Sequence, residues 1–209
     1  LKSVTLHDEN GAKRICSTFE MPNIEGELIL GYTLTKTGEL VVTQKITANE
    51  KYKDQCMFRF GMQWVMPEEF NTVRYYGRGP IENYVDRNSQ PLGIYTQKVA
   101  DMYHPYVRPQ ESGNHTDVRH WSIMDAAGRG LKFEATGKME CSTTNYLPSD
   151  LDDGKDKAAI QHHSGDLTPR DFSVLQIQSR QFGVGGVNSW GAWAREAYLM
   201  KSVTQEITY

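Results

Sequence analysis

Cysteine is scarce in this chain, and no hydrophobic run is long. Three cysteines, Cys16, Cys56 and Cys141, are spread over 209 residues. They are odd in number, far apart and form no CxxC pair, so the sequence predicts neither a disulfide framework nor a zinc site; buried small side chains are the plain reading. No apolar stretch approaches the ~20 residues of a membrane-spanning helix. An excess of positive charge is also lacking: 23 Lys and Arg stand against 26 Asp and Glu, for a net charge of −3. Neither nucleic acid nor a membrane is therefore an expected partner. The chain opens Leu1-Lys2-Ser3, with no initiator methionine and nothing like a secretory signal. It reads as one domain over residues 1–209, truncated at its N-terminus and taken from a longer multidomain protein. The compartment stays open between cytoplasm and periplasm.

Convincing long amphipathic helices are missing too, and strand patterns take their place. In "ELILGYTL" the side chains of Leu28, Leu30, Tyr32 and Leu34 share one face, and in "ELVVTQKI" those of Leu40, Val42 and Ile46 do. The "TKTG" turn between them predicts a hairpin. "CMFRFGMQWV" sets Cys56, Phe58, Phe60, Met62 and Trp64 on one side, the period of a half-buried antiparallel strand. "TVRYYG", "DVRHWSIM", "LKFEAT", "FSVLQIQ" and "EAYLMKS" continue the pattern. About eight strands with glycine turns predict an all-β fold, a large antiparallel sandwich or a barrel. The stretch from Leu147 to Asp171 is polar and rich in breakers, and reads as a surface excursion with at most a short helix.

The common catalytic signatures are absent as well. "DLDDGKD", from Asp150, places Gly154 fifth and Gln161 twelfth, which fails the calcium-loop pattern of glycine at six and glutamate at twelve. His162 and His163 are adjacent, so a strand would point them apart; no metal site is expected. No GxSxG occurs. "GVGG" opens no helix and is not a dinucleotide fingerprint. Glu82 and Asp86 could pair for acid–base work, but the plainer reading has them bind Arg78, Arg87 or backbone amides to shape their loop.

What is present is aromatic. Four tryptophans and eleven tyrosines occur, several in three stretches that break strand logic: "YYGRGPIENYVDR" (75–87), "VADMYHPYVRPQESGNHTDVRHW" (99–121) and "FGVGGVNSWG" (182–191). Aromatic faces stack on the C–H faces of sugar rings, while neighbouring Asn, Asp, Glu and Arg bond the hydroxyls. Glycines at 183, 185, 186 and 191 thin the backbone around Trp190, which fits presentation of that ring at a rim.

These three stretches resemble segments of lac-type β-galactosidases of glycoside hydrolase family two. "GRGPIENYVDR" is similar to their GxGPxENYxDR, "DMYHPYVRPQESGNHTDVRHW" to their DMYxPYxxPQExGxRxxxRW, and "FGVGGVNSWG" to their GxGGxxSWG, in the same order. The resemblance implies the C-terminal, small-chain domain of such an enzyme, with a β-sandwich of the galactose-mutarotase type. It implies that the whole enzyme hydrolyses terminal non-reducing β-D-galactosides with retention, using catalytic glutamates in a separate (β/α)₈ barrel, so no catalytic residue is expected here and the fragment alone is expected to be inactive. Trp190, with Asn188 and Ser189, is implied to contact the substrate. Glu82, Asn83, Tyr84, Asp86, Arg87, Tyr103, Tyr106, Glu111 and Arg119 are implied to shape the motif loops. Implied partners are a galactoside or other carbohydrate, the barrel of the same chain, and further copies in a homo-oligomer. No cofactor is implied for this fragment, and magnesium and sodium for the full enzyme. Two positions depart from the pattern: Val187 stands where many relatives are acidic, and His115 where they carry arginine. A stand-alone carbohydrate-binding module is the alternative, with a mutarotase-type aldose epimerase behind it.

Overall fold

The computed structural model describes residues 1–9, 11–152, 163–186, 188, 191–201 and 204–209. The described residues form an all-β sandwich of two antiparallel sheets. Strands β1 (Ser3–Glu9), β2 (Ala12–Met21), β3 (Gly26–Leu34), β4 (Leu40–Thr47) and β11 (Gln205–Thr208) make the first, in the order β1-β2-β3-β4-β11. The second runs β5-β10-β9-β8-β6-β7, from β5 (Arg59–Pro67), β6 (Thr72–Arg78), β7 (Leu92–Lys98), β8 (His115–Met124), β9 (Gly130–Thr144) and β10 (Phe172–Gln181). The only α-helical turn among the described residues, α1, covers Pro148–Leu151 in the polar excursion.

Alternation sets the registers. Leu28 faces Ile46, Tyr32 faces Val42 and Leu34 faces Leu40 across the β3–β4 hairpin, so the two apolar rows of the sequence lie on one face. The turn closes with Gly38 at φ 89° and the Thr35 amide donating to the Glu39 carbonyl. In the β8–β9 turn, Asp125 does the closing: its Oδ1 accepts from the amides of Ala127 and Arg129, each at 2.9 Å.

Val42, Ile46 and Ile207 of the first sheet and Phe60, Leu175 and Ile177 of the second are buried. Tyr209 packs into the apolar clusters of both sheets and donates its hydroxyl to the Ile177 carbonyl at 3.2 Å. Beneath the motif loops lie Tyr75 and Trp121, both fully buried, with ring centroids 4.7 Å apart. Trp121 donates its Nε1–H to Thr143 Oγ1 at 2.9 Å, so the indole is satisfied as well as packed. The cysteines are free; Cys141 is buried, and Cys16 and Cys56 are half-buried.

Two expected strands differ. The run from Cys56 enters the sheet only at Arg59: Cys56 makes a single bridge to Lys201, and Phe58 leaves the sheet row to pack its ring on Phe182. Of "EAYLMKS", residues 196–200 form no strand, Lys201 makes only the single bridge to Cys56, and Ser202 lies outside the described residues. Amide-to-carbonyl bonds from Tyr198 to Arg195 and from Leu199 to Glu196 wind Glu196–Tyr198 into a 3₁₀ turn, so its alternating apolar residues follow a tight turn. Strand β7, at the sheet edge, alternates strictly between exposed and half-buried positions, but Leu92 and Ile94 fall on the exposed side and Gly93 and Gln97 on the half-buried one, so its sequence shows no apolar row.

Candidate functional site

The first motif loop leaves β6 at Arg78 and is braced from within. Asn83, fully buried, donates its Nδ2 to the carbonyls of Arg78 (3.0 Å) and Ile81 (3.1 Å), and its Oδ1 accepts from Thr116 N (2.8 Å) and Thr116 Oγ1 (2.6 Å). A single amide side chain thus ties the loop to itself and to β8. Glu82 is the second brace. Its carboxylate accepts from the Gly113 amide (2.6 Å), Arg87 Nη2 (2.6 Å) and the Tyr106 hydroxyl. The first two motifs therefore share one buried anion. Burial, and then the bond to Glu82, push the Tyr106 hydroxyl up to about 12. The Arg87 guanidinium lies 5.4 Å from the centroid of the Tyr84 ring, which is itself buried.

The second motif loop runs from the 3₁₀ turn Val99–Asp101 to β8. Ser112 closes it by accepting from the His104 amide and donating to the His104 carbonyl. Glu111 pairs with Arg59 of β5. Burial pushes the Glu111 carboxyl up, and Arg59 opposes that shift. His115, one of the departures from the resembled pattern, is buried with Nδ1 3.0 Å from the Gly113 carbonyl and Nε2 3.3 Å from the Pro80 carbonyl. Its burial lowers the imidazole below its usual value. Tyr103 bonds Ser164 at 2.7 Å and packs on Tyr146; it lines a separate small cavity with His104 and His115. Arg119 donates to the Asp117 carbonyl and lies over the Tyr76 ring.

The third motif reaches the first through Asp86. This carboxylate accepts from the amides of Val184 (3.3 Å) and Gly185 (2.7 Å). The approach requires glycine: a Cβ on Gly183 would lie 2.7 Å from Asp86 Oδ2 and 2.9 Å from Tyr198 Cβ, and one on Gly186 would lie 2.5 Å from the Ala192 carbonyl oxygen. The glycines that thin this loop therefore let it close over an aspartate and over the Ala192 backbone. Trp190, Ser189 and Val187 lie outside the described residues. Asn188 is described and exposed.

Together the loops enclose a cleft of about 910 Å³. Tyr84, Asp86 and Arg87 come to it from the first motif, Tyr106, Arg108, Gln110 and Glu111 from the second, and Phe182–Gly186 from the third, with Phe58, Arg59 and Trp193 beside them. Segments about 100 residues apart thus meet at one wall. Tyr103 and Arg119 are not among the lining residues, and Glu82 and Asn83 stand behind it. The carboxylates at the cleft are engaged: Asp86 with two amides, Glu111 with Arg59, and Asp152 with Gln110 at 2.9 Å. Such groups orient a loop or a ligand. Among the described residues no three His, Cys, Asp or Glu side chains converge as metal ligands. Phe58 was missed from sequence because its spacing fits a strand row, and Trp193 because it falls two residues past the end of the third motif stretch.

Glu140, on β9 next to this region, carries a pH signature. Burial pushes its carboxyl from 4.5 up to about 7, against a hydrogen bond from Asn114 Nδ2 at 3.2 Å. A raised carboxylate means that the folded state holds more protons than the unfolded state between these two values. Its contribution is therefore complete below 4.5 and is lost as pH rises through 7. Between about pH 5 and about pH 8, Glu140→Gln is expected to flatten the fall in stability by on the order of 3 kcal/mol. Thermal unfolding of both proteins at the two pH values checks this, and parallel pH slopes would refute it. His115 acts oppositely, losing stability as pH falls below 6.5, so the comparison is between the two proteins and not along one curve.

The family model described as beta galactosidase small chain matches residues 2–209. A β-galactosidase of Priestia megaterium is 30% identical over 201 residues, covering 96% of this chain and 19% of that protein. One of Halalkalibacterium halodurans is 31% identical over 179 residues, 84% of this chain and 17% of that protein, and one of Lactobacillus delbrueckii subsp. bulgaricus is 31% identical over 194 residues, 91% and 18%. The chain spans about a fifth of the length of these relatives. With residues 2–209 covered by the family model and three motif loops gathered at one cleft, the chain belongs to the β-galactosidase small-chain family.

Proposed function

We propose that this chain is the small-chain domain of a β-galactosidase of glycoside hydrolase family two, and that its motif cleft forms one wall of the substrate pocket. The observation that carries this reading is the meeting of the three motif loops at a single cleft, braced from behind by Glu82 and Asn83. The parent enzyme hydrolyses terminal β-D-galactosides with retention: one carboxylate attacks the anomeric carbon, a second protonates the leaving oxygen, and water then releases the sugar. Both carboxylates belong to a barrel domain of the same chain. The part played here is binding and positioning. Trp190, supported by Asn188 and Ser189, presents an apolar face to the sugar. Magnesium and sodium are metals of the parent enzyme in this reading. The parent enzyme is a homo-oligomer.

In the full-length parent enzyme, Trp190→Ala is expected to weaken galactoside binding by several-fold to about tenfold, the worth of one aromatic platform. Steady-state kinetics on lactose provides the check. Unchanged KM and kcat would sink the assignment of Trp190.

A further inference from the structure

The wall of the cleft that holds Arg59, Glu111 and Gln181 continues inward as a row of buried amides. Gln181 stands opposite Arg59 in the β5–β10 ladder, and Gln178 stands opposite Glu140 in the β9–β10 ladder. Three positions apart on a regular strand, Gln178 and Gln181 would point to opposite faces. A register shift between Gln178 and Arg180 lets β10 advance two residues against one of β5, which brings both side chains to one face. Gln178 then donates its Nε2 to Gln181 Oε1 at 3.1 Å. The Gln181 side chain bonds Glu111, which Arg59 holds from β5. At its inner end the row lacks a donor. Gln178 Oε1 and Asn114 Oδ1 are buried without a hydrogen-bond partner. The Glu140 carboxyl adjoins both residues: it accepts from Asn114 Nδ2, and it lies across the ladder from Gln178. An ionised carboxylate only accepts. It would set a further acceptor beside two that are already unpaired, each costly when buried.

We propose that Glu140 is a positioning residue for the cleft: as the neutral acid it donates its O–H to Gln178 Oε1 and thereby fixes the Gln178–Gln181 relay that aims Glu111. The inference rests on the reading of the cleft as a substrate-pocket wall. The surroundings favour the neutral form. Burial leads, and pushes the Glu140 carboxyl up to about 7 against the charge of Arg180 on β10. The other charged group facing it, Asp117 of β8, is paired with Arg78 and Lys138. At the far end Glu111 faces Arg59, Glu82 and the Tyr84 hydroxyl, and it keeps Arg59 as its cation. When Glu140 loses its proton, the new carboxylate draws the Gln178 amide round to donate to it. Turning brings Gln178 Oε1 against Gln181 Oε1, two acceptors face to face, and the bond between the glutamines is lost. Gln181 is then unanchored, and Glu111 loses one of its two fixed partners. Glu140 touches no ligand itself; it acts through the two glutamines.

The test uses the full-length parent enzyme as wild type, Glu140→Gln and Gln178→Met. Glutamine at 140 keeps a donor for Gln178 at every pH, and methionine at 178 cuts the relay at similar volume. At about pH 6 the wild type shows an infrared carboxylic-acid C=O band that Glu140→Gln lacks. Identical spectra in that region overturn the neutral acid, whatever the cleft binds. From about pH 6 to about pH 8 the wild-type KM for lactose rises about fivefold relative to that of Glu140→Gln, the worth of one hydrogen bond, while kcat moves less. Gln178→Met has the raised KM at both pH values. A constant ratio between the wild-type and Glu140→Gln KM values overturns the positioning role, and so does a Gln178→Met KM that follows the wild type. If Gln178→Met does not fold, the comparison of wild type with Glu140→Gln decides alone. Any of these failures leaves the pocket-wall reading standing as long as Trp190→Ala weakens binding. Should the wild-type parent hydrolyse no galactoside, that reading itself falls, and the positioning role with it.

Discussion

Glu82→Ala is expected to destabilise the domain by about 3–5 kcal/mol, the largest effect of any single substitution in the motif loops. The residue is only 5% exposed and lies where two loops meet. Its removal leaves the Gly113 amide buried without its acceptor and the Tyr106 hydroxyl without its anion. Arg87 loses a partner too, but half of that side chain is exposed and it can turn to water, so its share of the cost is small. Glu82→Gln is expected to cost about 1–3 kcal/mol, because the new amide presents donors where three donors already converge. Urea unfolding followed by circular dichroism measures both. A cost below about 1 kcal/mol for the alanine variant would show that solvent replaces the carboxylate, and that the loops stand without it.

This brace shows where the sequence was readable and where it was not. The β3–β4 hairpin could be read because alternation and a glycine turn both act over a few residues, and the structure pairs Leu28 with Ile46 and Tyr32 with Val42 as that pattern requires. Strand β10 was legible for the same reason. The "EAYLMKS" segment was not, since a 3₁₀ turn and a short strand can carry the same apolar alternation and only long-range pairing separates them. At the site, residue types near one another in sequence gave Glu82 and Asp86 as loop-shaping carboxylates with Arg78, Arg87 or backbone amides as partners, and the structure gives Glu82 to Arg87 and Asp86 to the amides of Val184 and Gly185. The contacts that assemble the cleft join residues 24 to 99 positions apart: Tyr106 to Glu82, Gly113 to Glu82, and Gly185 to Asp86. Nothing local encodes these. Glycines 183 and 186 signalled a tight approach, but the objects approached, Asp86 and the Ala192 carbonyl, became visible only in three dimensions. Phe58 illustrates the opposite error. It fits the strand period perfectly, yet it sits one residue before the strand begins and turns outward against Phe182.

Asp86→Ala is expected to leave the fold nearly intact and to lower kcat/KM of the full-length parent enzyme by several-fold to about tenfold, no more than loss of the Trp190 ring itself. The contrast with Glu82 lies in the groups each carboxylate holds. Glu82 braces a buried junction, whereas Asp86 holds the exposed amides of Val184 and Gly185; released, these amides find water at little cost, so stability should fall by only about 1 kcal/mol. Position is what is lost. A glycine-rich segment has many backbone conformations, and the two amide bonds select one of them, five and six residues before Trp190. A misaimed ring forfeits at most what the ring contributes, so the loss has the ceiling of about tenfold expected for Trp190→Ala. Asp86→Asn keeps an oxygen acceptor for the Gly185 amide and is expected to retain most of the activity. The decisive measurement is a double-mutant cycle on lactose. If Asp86 acts by aiming Trp190, then Asp86→Ala and Trp190→Ala together are less damaging than the sum of their separate effects, because a ring already removed cannot be misplaced. Strict additivity would mean that Asp86 orders a different part of the pocket, and activity within about threefold of wild type in Asp86→Ala would mean that the glycine loop holds its place unaided.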